Sequence, residues 1–208
     1  MQNLLNTIER LKNSPISELI SQRLHEFKTV GQGSIDSIYT ELCFCIMTAN
    51  CSAERCIEVH EIIDDGFLTL SEEHLAQEFK ENKYRFPNIR ANYILEARKY
   101  KEALDTMIKD NISTSELREW LVKNIKGLGY KEASHFLRNI GYSDYAIIDF
   151  HIIDILVKFK IIERPKTLTK TKYLEIENIL RTIGKKINLN LDELDLFLWY
   201  FETGKVLK

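Results

Sequence analysis

Ile125-Lys126-Gly127-Leu128-Gly129-Tyr130-Lys131-Glu132-Ala133 is the stretch on which the reading of this chain turns. It joins two helices through a hydrophobic–x–Gly–hydrophobic–Gly turn. The glycines permit positive φ and a close backbone approach, and Leu128 is expected to plug the turn into the core. The amides of Gly127, Gly129 and Tyr130 are then expected to point outward at the start of the second helix. That is a backbone-built pocket for a phosphate oxygen, and it provides DNA contact without sequence preference. A plain helical hairpin uses the same kind of turn, so the turn alone leaves both readings open.

Outward from this turn the chain reads as helix after helix. Residues Asn3 to Lys28 place Leu4, Leu5, Ile8, Leu11, Ile16, Leu19, Ile20, Leu24 and Phe27 near a helical period, with Pro15 where a helix would begin. After the Gly31-Gln32-Gly33 break, Ser34 or Asp36 opens a helix that ends near Asn50. Ser52 caps the next, which Gly66 terminates, and Ser71 starts another with acids in its first turn. Phe86-Pro87-Asn88 is a turn, followed by one helix from Ile89 to about Ile108. Thr114 or Ser115 opens the helix carrying Leu117, Trp120, Leu121 and Ile125. Beyond Asp149, the run Phe150, Ile152, Ile153, Ile155, Leu156, Val157 and Phe159 reads as a buried helix. The last helices are expected from about Lys172 to Lys186 and from Leu191 to Thr203. No alternating run is long enough for a sheet. The expected fold is all-α.

Composition agrees and excludes other classes. Three prolines and eight glycines in 208 residues favour long helices, and the apolar fraction is ample for a core. Charges within the first ten residues fit neither a signal peptide nor a membrane span, so a soluble intracellular protein is expected, cytoplasmic or nucleoid-associated. Cys43, Cys45, Cys51 and Cys56 match no zinc or iron–sulfur spacing. They read as buried free thiols, and no metal or cofactor is expected. The net charge of −2 does not advertise a nucleic-acid partner, but distribution matters more than the sum. Lys158, Lys160, Arg164, Lys166, Lys170 and Lys172 cluster with a single acid, Glu163. That cluster is either a solvated loop or a phosphate-facing rim.

The residues after the turn carry the chemistry. Lys131 lies in the first turn of its helix, where a cation is electrostatically misplaced. Eighteen residues later, Ile147-Ile148-Asp149-Phe150-His151 sets an acid before a buried helix. Asp149 is a natural N-cap, and Lys131 on its own reads as a surface lysine. The pair together resembles the helix-hairpin-helix DNA glycosylase superfamily, in which a hairpin Gly-x-Gly-x-Lys precedes an apolar-Asp-x-His element. The resemblance puts the nucleophilic lysine on Lys131, the catalytic aspartate on Asp149 and the histidine on His151. It implies attack on the sugar carbon, a Schiff base and strand cleavage by β-elimination. A nucleophilic lysine must be neutral, against an ordinary pKa of about 10.4, so such a site must supply about 4 kcal/mol. A helix N-terminus gives typically about 0.3–1 kcal/mol, so desolvation by DNA would have to supply the rest. Asp149 suits a developing positive charge on deoxyribose. His151 serves either a phosphate or a hydrogen bond within its own helix turn.

The absence of any cysteine after Cys56 disfavours the branches with an iron–sulfur loop. More of the chain is similar to the archaeal-type 8-oxoguanine DNA glycosylase/AP lyase family: Met47-Thr-Ala-Asn50, Arg85-Phe-Pro-Asn-Ile-Arg-Ala-Asn-Tyr93, the hairpin, and Leu198-Trp-Tyr-Phe-Glu-Thr-Gly-Lys-Val-Leu-Lys208. This resemblance implies base removal and strand nicking at 8-oxoguanine by a monomer on damaged double-stranded DNA. It also implies a six-helix barrel lobe over 33–142, a second lobe from 1–32 and 143–208, and a cleft between them. In the family the C-terminal tail reaches the base pocket, which points to Lys208. A carboxylate there accepts what a purine's N1–H and N2–H₂ edge donates. Trp199 offers a face for a flipped base or packs in the core. Ser134 and His135, one turn beyond Lys131, are expected to face the same cleft. Phe86, Asn88 and Arg90 form either a wedge filling the gap left by an extruded nucleotide or a simple turn.

Overall fold

The computed structural model describes residues 1–110 and 112–208. In chain order its helices are α1 (Gln2–Lys12), α2 (Ile16–Gly31), α3 (Ile35–Thr48), α4 (Ala53–Ile63), α5 (Gly66–Thr69), α6 (Glu72–Glu81), α7 (Pro87–Arg98), α8 (Lys101–Lys109), α9 (Thr114–Asn124), α10 (Tyr130–Asn139), α11 (Phe150–Lys158), α12 (Lys170–Lys186) and α13 (Leu191–Thr203). There is no strand among the described residues, so the all-α expectation holds. Among the described residues no helix is long and apolar enough to cross a membrane.

Hydroxyl caps define five of the helix starts. Ser34, Ser52, Ser71, Ser113 and Thr169 each accept a hydrogen bond from the backbone N–H three residues on. Each such cap contributes about 1 kcal/mol. Pro87 occupies the first position of α7, where its missing N–H costs nothing. Three expectations need correction. The cap of α9 is Ser113, not Thr114 or Ser115. Gly66 opens the four-residue α5 instead of ending α4, which stops at Ile63 before Asp64 turns to φ 45°. The single helix expected from Ile89 to Ile108 is two, because Tyr100 leaves helical geometry at φ −100°, ψ 2°. Arg98 anchors the end of α7 there by donating to the carbonyls of Phe67 (2.6 Å) and Leu70 (3.1 Å).

The chain forms two compact units, Val30–Phe136 and Met1–Thr29 with Leu137–Lys208. In the first, α3 is the hub: it packs on α4, α5, α7 and α8, and Ile38 to Thr48 are buried except Thr40. Two buried tyrosines bolt this core through their hydroxyls, Tyr39 to the Ile94 carbonyl and Tyr84 to the Met47 carbonyl, both at 2.6 Å. In the second unit, α13 is the hub against α1, α11 and α12.

Inside that second unit lies a buried ion pair. Arg138 donates to Asp195 at 2.5 Å, with side chains 4% and 10% exposed. Its Nε and Nη2 donate to Asn139 Oδ1 at 3.0 and 2.8 Å, and its guanidinium lies 4.8 Å from the Phe27 ring centre. Removing one member of such a pair strands the other charge in the core. Arg138→Ala is therefore expected to destabilise the protein by about 3–5 kcal/mol, read from urea unfolding midpoints.

Candidate active site

The hairpin between α9 and α10 is built around a glycine that nothing else can replace. Gly127 has φ +87°, and a Cβ there would lie 2.6 Å from Tyr93 Cδ2. Leu128 is buried, as the turn requires. α10 then starts with Tyr130, Lys131 and Glu132 in its first turn. The amides divide differently from the expectation. Gly129 N–H does not point outward unused; it donates to Glu132 Oε2 at 3.1 Å. This is half of a capping box, with the acid at the third helical position reaching back to the amide that precedes the helix.

The same carboxylate also meets Lys131. Lys131 Nζ lies 3.3 Å from Glu132 Oε1, and the lysine side chain is 28% exposed. Glu132 thus joins a hairpin amide to the amine, a role that the Glu next to Lys131 in the sequence did not announce. Its position three residues after Gly129 was the available signal.

Asp149 is placed by a different device. The non-helical segment Tyr145–Ile148 that leads to it is buried and is held by α12. Tyr173 donates its hydroxyl proton to the Ala146 carbonyl at 2.6 Å and accepts from Ile148 N–H at 3.2 Å. Glu177 accepts from Ala146 N–H at 3.3 Å. Asp149 then caps α11, its Oδ1 accepting from Ile152 N–H at 3.0 Å. Its charge reaches Asp195. Burial pushes the Asp195 carboxyl up to about 6; Asp149 adds to that rise and Arg138 opposes it. The acid and the buried Arg138–Asp195 pair therefore belong to one electrostatic group, which the sequence reading missed. A lone Asp within the apolar run Leu194–Leu198 was its signal.

Next to Asp149, Phe150 is 65% exposed. The His151 ring lies 3.9 Å from Phe150 and meets Trp199 edge-on at 4.9 Å. Trp199 is half-buried near the end of α13, and its Nε1 is buried without a hydrogen-bond partner among the described residues. α13 closes on Gly204 at φ +72°, after which residues 205–208 carry no helix and Lys208 is half-buried.

Other expected site residues turn inward. Ser134 is fully buried; its Oγ donates to the Tyr130 carbonyl at 2.8 Å and accepts from Arg118 at 3.2 Å. His135 is buried edge-on against Phe44 at 5.7 Å. Neither offers a free edge to a base, because the α10 face they share packs into the core of the first unit. Arg90 is likewise buried, donating to the Ala49 carbonyl at 2.8 Å, with its guanidinium 5.5 Å from the Phe86 ring and 5.6 Å from Tyr93. Phe86 is half-buried at the start of α7, and Asn88 is exposed. Tyr130 is half-buried, its hydroxyl bonded to Glu119. Part of the basic stretch is neutralised locally, Arg164 by Asp154 and Lys172 by Glu175. Three of the four thiols are buried and Cys51 is half-buried. The described residues hold no cluster of side chains able to bind a metal.

An all-helical chain with this hairpin and this capped acid has the fold of the helix-hairpin-helix DNA glycosylases. Residues 20–189 match the family described as 8-oxoguanine DNA glycosylase, and the chain belongs to that family. It is 50% identical to the 8-oxoguanine DNA glycosylase/AP lyase of Korarchaeum cryptofilum, with 100% of this chain and 99% of that one covered. Among solved structures it resembles the Methanocaldococcus jannaschii 8-oxoguanine glycosylase/lyase in complex with a 15mer DNA containing 8-oxoguanine, at TM-score 0.95 and 52% identity over 99% of each chain. The Thermotoga maritima 8-oxoguanine DNA glycosylase aligns at TM-score 0.93 and 40% identity, covering 100% of this chain and 99% of the other.

The turn makes a direct prediction. Gly127→Ala forces a side chain into a positive-φ residue and against the Tyr93 ring, so it is expected to destabilise the fold by about 1–3 kcal/mol. Thermal unfolding followed by far-UV circular dichroism checks this.

Proposed function

We propose that this chain excises 8-oxoguanine from DNA and then cleaves the strand at the abasic site, with Lys131 as nucleophile and Asp149 as its electrostatic partner. The observation that carries the reading is the placement of Lys131. A lysine whose side chain is 28% exposed stands in the first turn of the helix that leaves the Gly127–Gly129 hairpin, in a chain of the 8-oxoguanine glycosylase family. The neutral amine attacks the sugar carbon. A carbon–nitrogen bond to Lys131 forms as the bond to the base breaks, and the base departs with a proton. Opening of the sugar gives a Schiff base, from which β-elimination releases the 3′ phosphate.

Asp149 acts on the charge that develops during this exchange. Its Oδ1 is engaged by the α11 cap, which fixes the carboxylate's direction, and its negative charge favours the cationic sugar in the transition state. The backbone of Gly127, Gly129 and Tyr130 takes a phosphate of the same strand, and arrival of that phosphate competes with Glu132 for the Gly129 amide. His151 serves the same strand. Trp199 provides the stacking face for the extruded base, assisted by the segment that ends at Lys208. Phe86 and Asn88, at the start of α7, fill the space that the base leaves; Arg90 supports Phe86 from behind. The acting unit is one copy of the chain on a damaged duplex inside the cell, without metal or cofactor.

Borohydride trapping tests the chemistry. The wild type is expected to give a covalent adduct with an 8-oxoguanine duplex and Lys131→Gln none; absence of an adduct in the wild type, with DNA still bound, would instead describe a hairpin module that only grips phosphates. Asp149→Asn keeps a capping oxygen. It is expected to slow single-turnover base release by about 10²-fold or more, on the order of an electrostatic transition-state contact, while duplex affinity changes little. Equal losses in both would reduce Asp149 to a helix cap.

A further inference from the structure

Of the four thiols, two are brought together by the way α4 begins. Ser52 is its N-cap, with Oγ accepting from Arg55 N–H at 3.2 Å. Cys51 therefore precedes the cap and Cys56 is the fourth helical residue. Those are the two positions whose side chains regularly fold onto one another to staple a helix start. In most helices the staple is a pair of hydrocarbon side chains; here it is a pair of thiols, near enough for each to act on the other's charge. Cys56 is fully buried, its Sγ 3.5 Å from the Met47 carbonyl. Cys51 is only half-buried, so of the pair it is the residue that reaches the surface.

The surroundings are cationic. Arg85 donates to the Asn50 carbonyl at 3.2 Å and Arg90 to the Ala49 carbonyl at 2.8 Å, so both guanidinium groups sit on the loop that ends at Cys51. Lys131 and Arg90 both lie near enough to favour the Cys56 thiolate. The neighbouring Cys56 thiol, helped by backbone donors at Ser52 and Arg85 and by the Arg85 charge, holds the Cys51 thiol down to about 6, while Cys51 and burial push Cys56 up. The sulfur of the half-exposed residue is thus the one favoured as thiolate and its buried neighbour the one favoured as thiol, the division of labour of an attacking and a resolving cysteine.

We propose that Cys51 and Cys56 are a modification site: a hydroperoxide oxidises the half-exposed Cys51, and Cys56 closes the pair into a disulfide beside the nucleophilic lysine. In the first step the Cys51 thiolate attacks one peroxide oxygen. A sulfur–oxygen bond forms, the oxygen–oxygen bond breaks, hydroxide leaves and the sulfur is oxidised by two electrons to a sulfenic acid. In the second, the Cys56 sulfur attacks Cys51. The sulfur–sulfur bond forms, the sulfur–oxygen bond breaks, and the departing hydroxide takes the Cys56 proton and leaves as water. A thiol reductant reverses both. The link ties the loop at 49–51 to α4, and that loop carries the carbonyls on which Arg85 and Arg90 rest. The consequence for catalysis rests on the glycosylase reading above; the disulfide itself does not.

The test separates the two. Intact protein is treated with hydrogen peroxide, quenched and peptide-mapped without reduction. The expected result is one Cys51–Cys56 cross-link, loss of two of the four thiols, and recovery with dithiothreitol. Cys56→Ser is expected to stop at a sulfenic acid on Cys51, captured by dimedone. A map without the cross-link overturns the proposal whatever the enzyme's activity. In parallel, borohydride trapping on an 8-oxoguanine duplex is expected to fall several-fold on oxidation. Cys51→Ser is expected to trap like the reduced wild type and to be indifferent to peroxide. A cross-linked protein that traps DNA as well as the reduced one would overturn the link to the lysine, as would an equal loss in Cys51→Ser.

Discussion

The close approach of Tyr93 to Gly127 is the constraint on which the rest is hung. A ring carbon would stand 2.6 Å from any Cβ at that position, so the backbone can reverse between α9 and α10 only where there is none. Once the reversal is made there, the start of α10 is fixed, and its helical repeat places four consequential side chains. Lys131 and Glu132 fall in the first turn, Ser134 in the next, and Arg138 near the end. Ser134 bonds Arg118 of α9, which ties the two arms of the hairpin together behind the turn. A helix placed by such contacts at both ends has little freedom to shift its first-turn amine.

The charges are arranged so that no functional group stands alone. Lys131 has Glu132 at 3.3 Å, and Asp149 has a helix amide on one oxygen. Within the field of Asp149 is a second carboxylate, Asp195, whose own charge is met by Arg138 at 2.5 Å. A buried ion pair is weak evidence for stability, because desolvation offsets most of its attraction. Here its effect is better seen locally. Burial and the charge of Asp149 raise the Asp195 carboxyl, and the Arg138 guanidinium opposes that rise.

Helix content was legible in the sequence because its signals are local. Ser34, Ser52 and Ser71 announced helix starts through capping chemistry, and the apolar spacing of α13 marked its limits from Leu191 to Thr203. What escaped was set by contacts distant in sequence. The break between α7 and α8 coincides with Arg98 binding carbonyls nearly thirty residues upstream, at Phe67 and Leu70. Nothing in the residues from Ile89 to Ile108 encodes those partners. The Arg138–Asp195 pair likewise joins residues 57 apart, and only the oddity of an acid in an apolar helix pointed to it. The positions of Lys131 in the first turn of α10 and of Asp149 as the cap of α11 were legible for another reason: a hairpin turn and a helix cap are local features.

The inward turn of Ser134 and His135 shows where spacing stops being informative. Residues three and four beyond Lys131 do share its side of the helix, as expected, yet that side is the buried one: Ser134 is 0% and His135 8% exposed. Lys131 escapes the core only because it sits in the first turn, where a long flexible stem can carry its amine past the end of the packed face. A shared face therefore says that side chains are neighbours, not that they line a surface. The polar groups of Ser134 are already satisfied by Tyr130 and Arg118, so pulling them toward a base would cost both bonds. Trp199 is the contrasting case: it is half-buried, and its indole N–H is buried without an acceptor among the described residues.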